Sequence, residues 1–291
     1  MNGSRVLSAG LLLFAAQPLM CSNPTPRFDH VFVVVEENHD YSDVIGSPAM
    51  PYLNSLAERY GLATQYHANT HPSIGNYFML TVGDTVTNDR DFSGIMTHDN
   101  IVRQLAAAGK TWKSYAEDLP SVGYTGDGPG AYARRHNPLS YLSDVVNDPV
   151  QRQRLVPFSQ FASDLANQTL PNYAFIVPNV CHDAHSCGLD SADQWLRTHI
   201  ASLIASRDFQ RGGLLIITFD EASGSDKTNG GGRIAWVAVS GKSRRRYRSA
   251  ALYQHQSTLR LTAEALGVTK VPGAAATAPN MTEFFTLRSR P

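Results

Sequence analysis

Five apolar residues at positions 31–35 run directly into two carboxylates and an amide, Glu36, Glu37 and Asn38. Four of the five are β-branched, and an uninterrupted apolar run of this kind is typical of a strand buried on both faces. Burying a carboxylate is costly unless it has a partner. We therefore expect this strand to deliver oxygen ligands to a polar site at its carboxyl end.

Two later apolar runs end in the same way. Residues 175–177 lead into a segment that contains Asp183 and His185, and residues 214–219 lead into Asp220 and Glu221. Open α/β sheets bind ligands outside the carboxyl ends of their strands. The pattern therefore predicts one polar pocket shared by three strands.

Predicted strands and helices alternate along the chain, and no internal repeat or linker interrupts them. Strands are expected at 111–116, 172–177 and 234–239, and helices at 100–109, 191–206 and 254–266. Residues 144–168 are interpreted as a surface excursion and 223–232 as a mobile loop. Alternation of this kind predicts an α/β fold, a three-layer α/β/α sandwich with a mostly parallel central sheet, formed by one domain over residues 23–291.

Composition and the N-terminus bear on location and partners. The chain has 291 residues, with Lys+Arg and Asp+Glu both at 25, so charge gives no reason to expect a nucleic-acid partner. An uncharged apolar run at 6–16 follows Arg5 and is too short to span a bilayer. It predicts a signal peptide over about residues 1–22 and a secreted or periplasmic protein, with a buried N-terminal helix as the alternative.

Two local features have both a simple and a functional interpretation. Cys181 and Cys187 flank the segment with Asp183 and His185, and in an oxidising compartment they could close a small loop. A cysteine metal site is less expected with only two thiols.

The basic run at 242–248 is by default a solvated loop, and a peripheral contact with an anionic membrane is the alternative.

Ser73 precedes residues with helical spacing, which puts it at the N-cap or in the first turn of a helix. The simple interpretation is that its hydroxyl caps the helix, and this feature alone favours that interpretation. The functional one is that the free N–H groups and positive dipole end of the helix bind phosphate and favour an alkoxide.

Taken in order, these motifs resemble a known family. They are Glu36-Glu37-Asn38, the stretch from Thr70 to Tyr77, the stretch from Tyr132 to Pro138, Pro178-Asn179 with Asp183 and His185, Asp220-Glu221, and His255 in the last long helix. The chain is similar to the bacterial phosphoesterase family of secreted acid phosphatases and non-specific phospholipases C, within the alkaline phosphatase superfamily, and especially to its compact mycobacterial members. The likeness covers about residues 28–266 and implies an alkaline-phosphatase-like fold.

The resemblance also implies a site. It implies a divalent metal held by Glu37, Asn38, Ser73, Asp220 and Glu221, with Ser73 as nucleophile. His136, His185 and His255 would act at the phosphate or the leaving group, and Asn76 and Asp183 would contact substrate. Two departures from the family pattern stand out: Gly75 replaces a proline that is often found before that asparagine, and Asp220-Glu221 replaces the Asp-Asp pair of some relatives.

The chemistry that follows is phosphate ester hydrolysis. A cation lowers the pKa of a serine hydroxyl and offsets the repulsion between nucleophile and phosphate. Ser73 would form a phosphoserine, and protonated His185 would serve the leaving oxygen, which predicts an acidic to neutral optimum. Oxygen ligands favour Ca²⁺, Mg²⁺ or Mn²⁺, and the histidines keep Zn²⁺ open.

Three functions compete at this stage. The leading one is a secreted acid phosphatase that hydrolyses small-molecule or lipid phosphate monoesters such as phosphoinositides or nucleotides. A phospholipase C-type phosphodiesterase uses the same chemistry, but the long C-terminal domains of the larger phospholipases C are missing. A sulfatase is disfavoured because no Cys-x-Pro-x-Arg stretch occurs. A non-catalytic anion-binding protein is the alternative of another class, and it would not need Ser73.

Overall fold

The structure, a computed structural model, describes residues 24–128 and 130–286. The predicted signal peptide and Cys21 lie outside the described residues. Within the part of the chain that is described, none of the helices has the length and apolar character needed to cross a membrane.

Strands and helices alternate along most of the chain. The strands are β1 (His30–Glu36), β2 (Gly61–Ala63), β3 (Tyr66–His67), β4 (Trp112–Ala116), β5 (Leu155–Pro157), β6 (Tyr173–Val177), β7 (Gly213–Phe219), β8 (Trp236–Ser240), β9 (Tyr247–Ser249) and β10 (Tyr253–Gln254). The helices are α1 (Tyr41–Val44), α2 (Pro51–Arg59), α3 (Ser73–Val82), α4 (Ile101–Ala107), α5 (Ser143–Val146), α6 (Pro149–Arg152), α7 (Ser159–Ala166), α8 (Leu189–Ala205), α9 (Arg207–Gly212) and α10 (His255–Leu266).

One eight-stranded sheet organises the fold, in the order β5-β4-β6-β1-β7-β8-β2-β9. Only β8 pairs antiparallel with its neighbours, so the sheet is mostly parallel, as the sequence predicts. In the centre, Val33 of β1 lies opposite Phe175 of β6 on one side and Ile216 of β7 on the other. The carboxyl ends of β1, β6 and β7 therefore meet at one edge of the sheet.

The sheet is covered on both faces, which explains the unbroken apolar runs. Residues 31–36 of β1 are at most 2% exposed. Helices α3, α4 and α10 contact one another, and α2, α8 and α9 form a second group of contacting helices. The α/β/α layering expected from the alternation of elements is confirmed. Each fully buried valine of β1 contributes about 1.5–3 kcal/mol through removal of apolar surface from water.

Two segments differ from their predicted structure because they form edge strands. The predicted surface excursion contains β5, which pairs with β4, and the basic run leads into β9, which pairs with β2. Both strands are three residues long and lie at the two edges of the sheet. With three residues each, both strands are too short to show the long apolar run that marks β1 and β7.

The predicted mobile loop at 223–232 is instead held in place. The backbone N–H of Ala222 bonds to the carbonyl of Gly231, and the N–H of Gly231 bonds to the carbonyl of Ala68. Gly230 has φ +106°, and a Cβ there would overlap the carbonyl oxygen of Asn69. Glycine is therefore needed for this close approach of two backbones. The loop forms a fixed wall next to the carboxyl end of β7.

Candidate active site

Ser73 is the first residue of α3, and its hydroxyl does not cap the helix. Pro72 occupies the N-cap position, and no side chain caps this end. The simple interpretation of Ser73 as a helix cap is therefore wrong. With no capping bond to make, its Oγ faces the polar residues that follow β1 and β7, and the positive end of the helix dipole lies behind it.

Three acceptor side chains surround the Ser73 hydroxyl. Oγ lies 3.0 Å from Glu37 Oε2, 3.2 Å from Glu221 Oε1 and 3.4 Å from Asn38 Oδ1. A hydroxyl has one proton to donate, so three acceptors at these distances cannot all be satisfied by it. Oxygen atoms gathered in this way without enough protons are the environment that a hard cation prefers.

Asn38 and Asp220 complete this oxygen cluster. Asn38 has φ +53°, a left-handed conformation that asparagine tolerates better than most residues. Its backbone N–H donates to Asp220 Oδ1 at 3.0 Å. Asp220 Oδ2 is buried and has no hydrogen-bond partner among the described residues. A buried carboxylate oxygen with no partner fits a metal ligand, because an ion would replace the missing interaction.

The carboxylates of the cluster repel one another in a dry environment. Burial raises the pKa of Glu37 well above its usual range, and the charges of Asp220 and Asp183 raise it further. Burial and the charge of Glu221 likewise raise the pKa of Asp220. Negative charges are therefore unfavourable here until a positive charge offsets them. Glu37, Asn38, Ser73, Asp220 and Glu221, the ligand set expected from the sequence, fit a divalent cation by this test.

A second group of buried side chains adjoins Glu37. His136 places Nδ1 3.0 Å from Asp183 Oδ2, and its Nε2 lies 3.3 Å from Glu37 Oε1 without the alignment of a hydrogen bond. Glu37, His136 and Asp183 are together a buried cluster that can hold a metal ion. Tyr77 stacks on the His136 ring and donates to Glu37 Oε1 at 2.6 Å. Glu37 thus belongs both to the Ser73 cluster and to this one.

Asp183 supports its neighbours and does not face substrate. It is 1% exposed. Its Oδ2 holds His136, and its Oδ1 accepts the backbone N–H of His185 at 2.8 Å. Since both oxygens are engaged, we assign Asp183 a positioning role in place of the substrate contact expected from the sequence.

Asn76 and His255 also lie away from the open face of the site, and both are fully buried. Asn76 accepts the N–H groups of Asn69 and Thr70 and donates to the Thr70 carbonyl, so it fixes a turn. His255 Nε2 lies 2.6 Å from the Asp220 carbonyl, and its Nδ1 faces the Tyr66 hydroxyl. The structure brings neither side chain to a phosphate position, and both instead support the backbone around the cluster.

His71 contacts the oxygen of Glu221 that Ser73 does not contact. Its Nδ1 lies 2.6 Å from Glu221 Oε2, and its Nε2 lies 2.8 Å from the carbonyl of Asp226. Burial raises the pKa of Glu221, and the charge and hydrogen bond of His71 act in the opposite direction. His71 therefore orients one carboxylate of the cluster.

His185 is exposed at the mouth of the site. It lines a cavity of about 300 Å³ together with Ser73, and its Nε2 lies 3.5 Å from Arg135 Nη2. Cys181 and Cys187 form a disulfide, which closes the loop around His185. The loop closure that the sequence allowed is thus present.

The structure places four further residues at the site: Tyr77, His71, Arg90 and Arg135. The sequence motifs include Tyr77, His71 and Arg135 without a catalytic, substrate-binding or metal role, and they do not include Arg90. Tyr77 lies four positions after Ser73 and so shares its helix face, which was the available signal. Arg135 lies in the motif from Tyr132 to Pro138, within a short 3₁₀ helix at Arg134–His136, whereas no sequence pattern marks Arg90.

Comparison with known proteins identifies close relatives. A family model described as "Phosphoesterase family" matches residues 47–269. The phosphatidylinositol-3-phosphatase of Mycobacterium tuberculosis is 35% identical over 228 residues, which cover 76% of this chain and 74% of that protein. The acid phosphatase of Aspergillus fumigatus is 34% identical over 211 residues, which cover 69% of this chain and 46% of that protein. The chain thus spans about half the length of this fungal relative.

Solved structures share the fold at low sequence identity. A protein in the alkaline phosphatase superfamily from Vibrio parahaemolyticus superposes with a TM-score of 0.60 and 14% identity over 88% of this chain and 72% of that chain. The lipoteichoic acid synthase LtaP from Listeria monocytogenes superposes with a TM-score of 0.60 and 10% identity over 86% of this chain and 74% of that chain. The chain therefore has the alkaline phosphatase superfamily fold.

Proposed function

We propose a specific activity from the premise that this chain belongs to the Phosphoesterase family and is a phosphoric ester hydrolase. It is a secreted, metal-dependent acid phosphatase that hydrolyses phosphate monoesters, including phosphoinositides or nucleotides, through a phosphoserine. The observation that carries the proposal is the position of Ser73 Oγ, within 3.4 Å of three acceptor side chains at the start of a helix and beside an open cavity.

Ser73 is the nucleophile. Among the described residues, its hydroxyl is the one that lies within hydrogen-bond distance of Glu37, Asn38 and Glu221 together, and it lines the cavity that a phosphate ester would enter. A divalent cation (Ca²⁺, Mg²⁺, Mn²⁺ or Zn²⁺) bound by Glu37, Asn38, Asp220 and Glu221 would lower the pKa of the Ser73 hydroxyl and offset the charge of the phosphate. Oγ, having released its proton to solvent, then attacks phosphorus, and the bond to the leaving oxygen breaks.

His185 donates the proton that the leaving oxygen needs. It is exposed at the mouth of the cavity that Ser73 lines, and Asp183 holds its backbone N–H, so its ring can reach the leaving oxygen of a phosphate ester bound there. A bound phosphate dianion would favour the protonated ring by direct charge attraction. Water then attacks the phosphoserine and gives a proton to His185, while the Ser73 oxygen leaves phosphorus and takes a proton from solvent, so both groups are regenerated.

His136 is a positioning residue in this mechanism. It is 1% exposed and lies between Asp183 and Glu37. Its Nδ1 is held by Asp183, and its Nε2 packs beside the carboxylate of Glu37, the ligand closest to Ser73. This differs from the direct phosphate contact expected from the sequence.

The test is phosphate release from p-nitrophenyl phosphate by purified wild type and Ser73→Ala in the presence of each of the four cations. We expect the serine variant to lose at least about 10³-fold in kcat, as is usual when a nucleophile is removed. Equal rates in the two proteins would refute the proposal. Phosphate binding without turnover in wild type would indicate the anion-binding alternative, and faster turnover of phosphatidylcholine than of any monoester would indicate the phospholipase C alternative.

A further inference from the structure

Two cavities open next to Ser73, and they share a boundary. The smaller one, of about 300 Å³, contains Ser73, Arg135 and His185. The larger one, of about 720 Å³, extends past Ser223 and Gly224. Four residues line both cavities, namely Asn38, Pro72, Arg90 and Glu221. A phosphate at Ser73 occupies part of the smaller cavity, and a leaving group can extend from it across the shared boundary into the larger cavity.

Arg135 has its charge available in the smaller cavity. Its neighbour Arg134 is buried, stacks on Tyr141 at 3.9 Å and donates to the Ser140 carbonyl. Arg135 is only half-buried and, among the described residues, has no carboxylate within 4.0 Å. Its nearest polar contact is His185 at 3.5 Å. A guanidinium without an acidic partner, placed beside a nucleophile, fits the oxygens of a phosphate.

Arg90 is available at the boundary between the cavities. It is exposed and, within the part of the chain described, likewise has no carboxylate within 4.0 Å. Its neighbour Asp89 accepts the backbone N–H of Asp91 instead.

Gly75 fixes the loop that carries Arg90. A Cβ at this position would lie 2.7 Å from Thr70 Cγ2 and would overlap the Asn88 side-chain oxygen. Asn88 in turn donates to Thr70 Oγ1 at 2.8 Å. The absence of a side chain at Gly75 therefore allows the loop to pack against α3, two residues before Arg90. Gly75, which departs from the family pattern, thus leaves room for the Arg90 loop to pack against α3.

We infer that the two arginines divide the substrate between them: Arg135 binds the phosphoryl group that Ser73 takes, and Arg90 binds a second phosphate on the leaving group. The enzyme therefore prefers a small hydroxylated leaving group that itself carries a phosphate. This inference rests on the proposed function. The second phosphate can belong to a lipid headgroup or to a soluble sugar or inositol phosphate.

The experiment compares inositol 3-phosphate with inositol 1,3-bisphosphate as substrates of the metal-loaded enzyme. Arg90→Gln and Arg135→Gln are the test variants, and Arg90→Lys keeps the charge. Arg207→Gln is the matched control. This exposed arginine lies in α9, which comes just before β7, and so it is near the amino ends of the strands, opposite the site. Thermal unfolding of each variant establishes that the fold is intact. Short-chain phosphatidylinositol 3-phosphate, as monomers and in vesicles, then separates the lipid source from the soluble one.

Arg90→Gln is expected to lower the ratio of kcat/KM for bisphosphate over monophosphate by about tenfold, and Arg90→Lys to restore part of it. Arg135→Gln is expected to lower both kcat/KM values by on the order of tenfold to hundredfold and to leave their ratio within about twofold. The control should change neither value. An unchanged ratio in Arg90→Gln, or an equal fall of the ratio in Arg135→Gln, would overturn the inference alone. Failure of wild type to release phosphate from either substrate would overturn the proposed function as well.

Discussion

The Tyr77 hydroxyl donates a hydrogen bond to Glu37 Oε1 at 2.6 Å, while the other oxygen of that carboxylate accepts from Ser73. Glu37 is fully buried. Its two oxygens therefore have separate partners, one structural and one reactive. Tyr77 thereby sets the direction in which Glu37 presents its free lone pairs to the Ser73 cluster.

Tyr77→Phe should weaken metal binding and leave the fold in place. The change removes one hydrogen bond to Glu37 and keeps the ring that stacks on His136. Loss of such an outer partner of a ligand lowers metal affinity by about 10–100-fold in other sites. Isothermal titration of the metal-free protein with Mn²⁺ measures the change. Tyr173→Phe, at the amino end of β6, is the control, and equal affinities in the two variants would contradict the prediction.

The activity should fall on the alkaline side at a pH below the usual titration range of histidine, near 6.5. Partial removal from solvent lowers the pKa of His185. The charge of Asp183 opposes this effect, and the charges of Arg135 and Arg90 add to it, so the pKa is lowered overall. A proton donor must be protonated, so its active fraction falls as pH rises through that lowered pKa. The measurement is kcat/KM from pH 4 to 9.

Arg135→Gln gives the matching test of this pH dependence. Removing the positive charge should raise the pKa of His185 and move the alkaline limb to higher pH, in addition to the loss of substrate binding. A limb that keeps its position in the variant, or a wild-type rate that keeps rising above pH 9, would show that His185 is not the proton donor.

Reduction of the Cys181–Cys187 disulfide should lower kcat more than it affects overall folding. The bond closes a seven-residue loop around His185, and closure of a loop of that size contributes about 2 kcal/mol by restricting the unfolded chain. Without it the proton donor is less well placed. Activity and thermal unfolding are measured with and without dithiothreitol. A variant with both cysteines changed to serine should be insensitive to the reductant, and full activity in that variant would refute the prediction.

Asp164 should make stability sensitive to acid far from the active site. Burial alone would raise its pKa, but hydrogen bonds from Lys113 at 2.5 Å and Tyr115 at 2.6 Å outweigh this and lower it. Because the pKa of Asp164 is lower in the folded protein than in the unfolded chain, where it is about 3.8, the ionised carboxylate stabilises the fold above that pH. This stabilisation is lost as the pH falls through the pKa of the folded state. Asp164→Asn should cost about 1–3 kcal/mol at pH 7. Urea unfolding should show the gap to wild type closing below pH 4, and a gap that stays constant would argue against this role.

The central strands and their polar ends could be predicted from the sequence because two signals coincide there. In β1, an apolar run buried on both faces ends in side chains that are costly to bury, and β7 ends in the same way at Asp220. The helix that begins at Ser73 was also predictable from its spacing. These features depend only on neighbours in the chain, and the parallel sheet then brings the strand ends together.

The orientation of the motif residues could not be predicted in the same way. Asn76 and His255 belong to the same motifs as Ser73 and Asp220, yet their side chains bond to backbone groups beneath the site. Arg90 reaches the cavity only because the loop packs against Gly75. Such contacts depend on tertiary packing. A position in the chain alone does not distinguish a side chain that lines the open cavity from one that packs beneath it.

The loop held by Gly230 also limits how substrate preference can change among proteins of this shape. A side chain at that glycine would collide with the Asn69 backbone, so a substitution there should disturb the segment that leads into the helix of Ser73. Residues 88–91, on the opposite wall, are exposed and can vary in sequence. Among proteins of this shape, we therefore expect the substitutions that change leaving-group preference to lie around Arg90, and we expect Gly230 to stay unchanged.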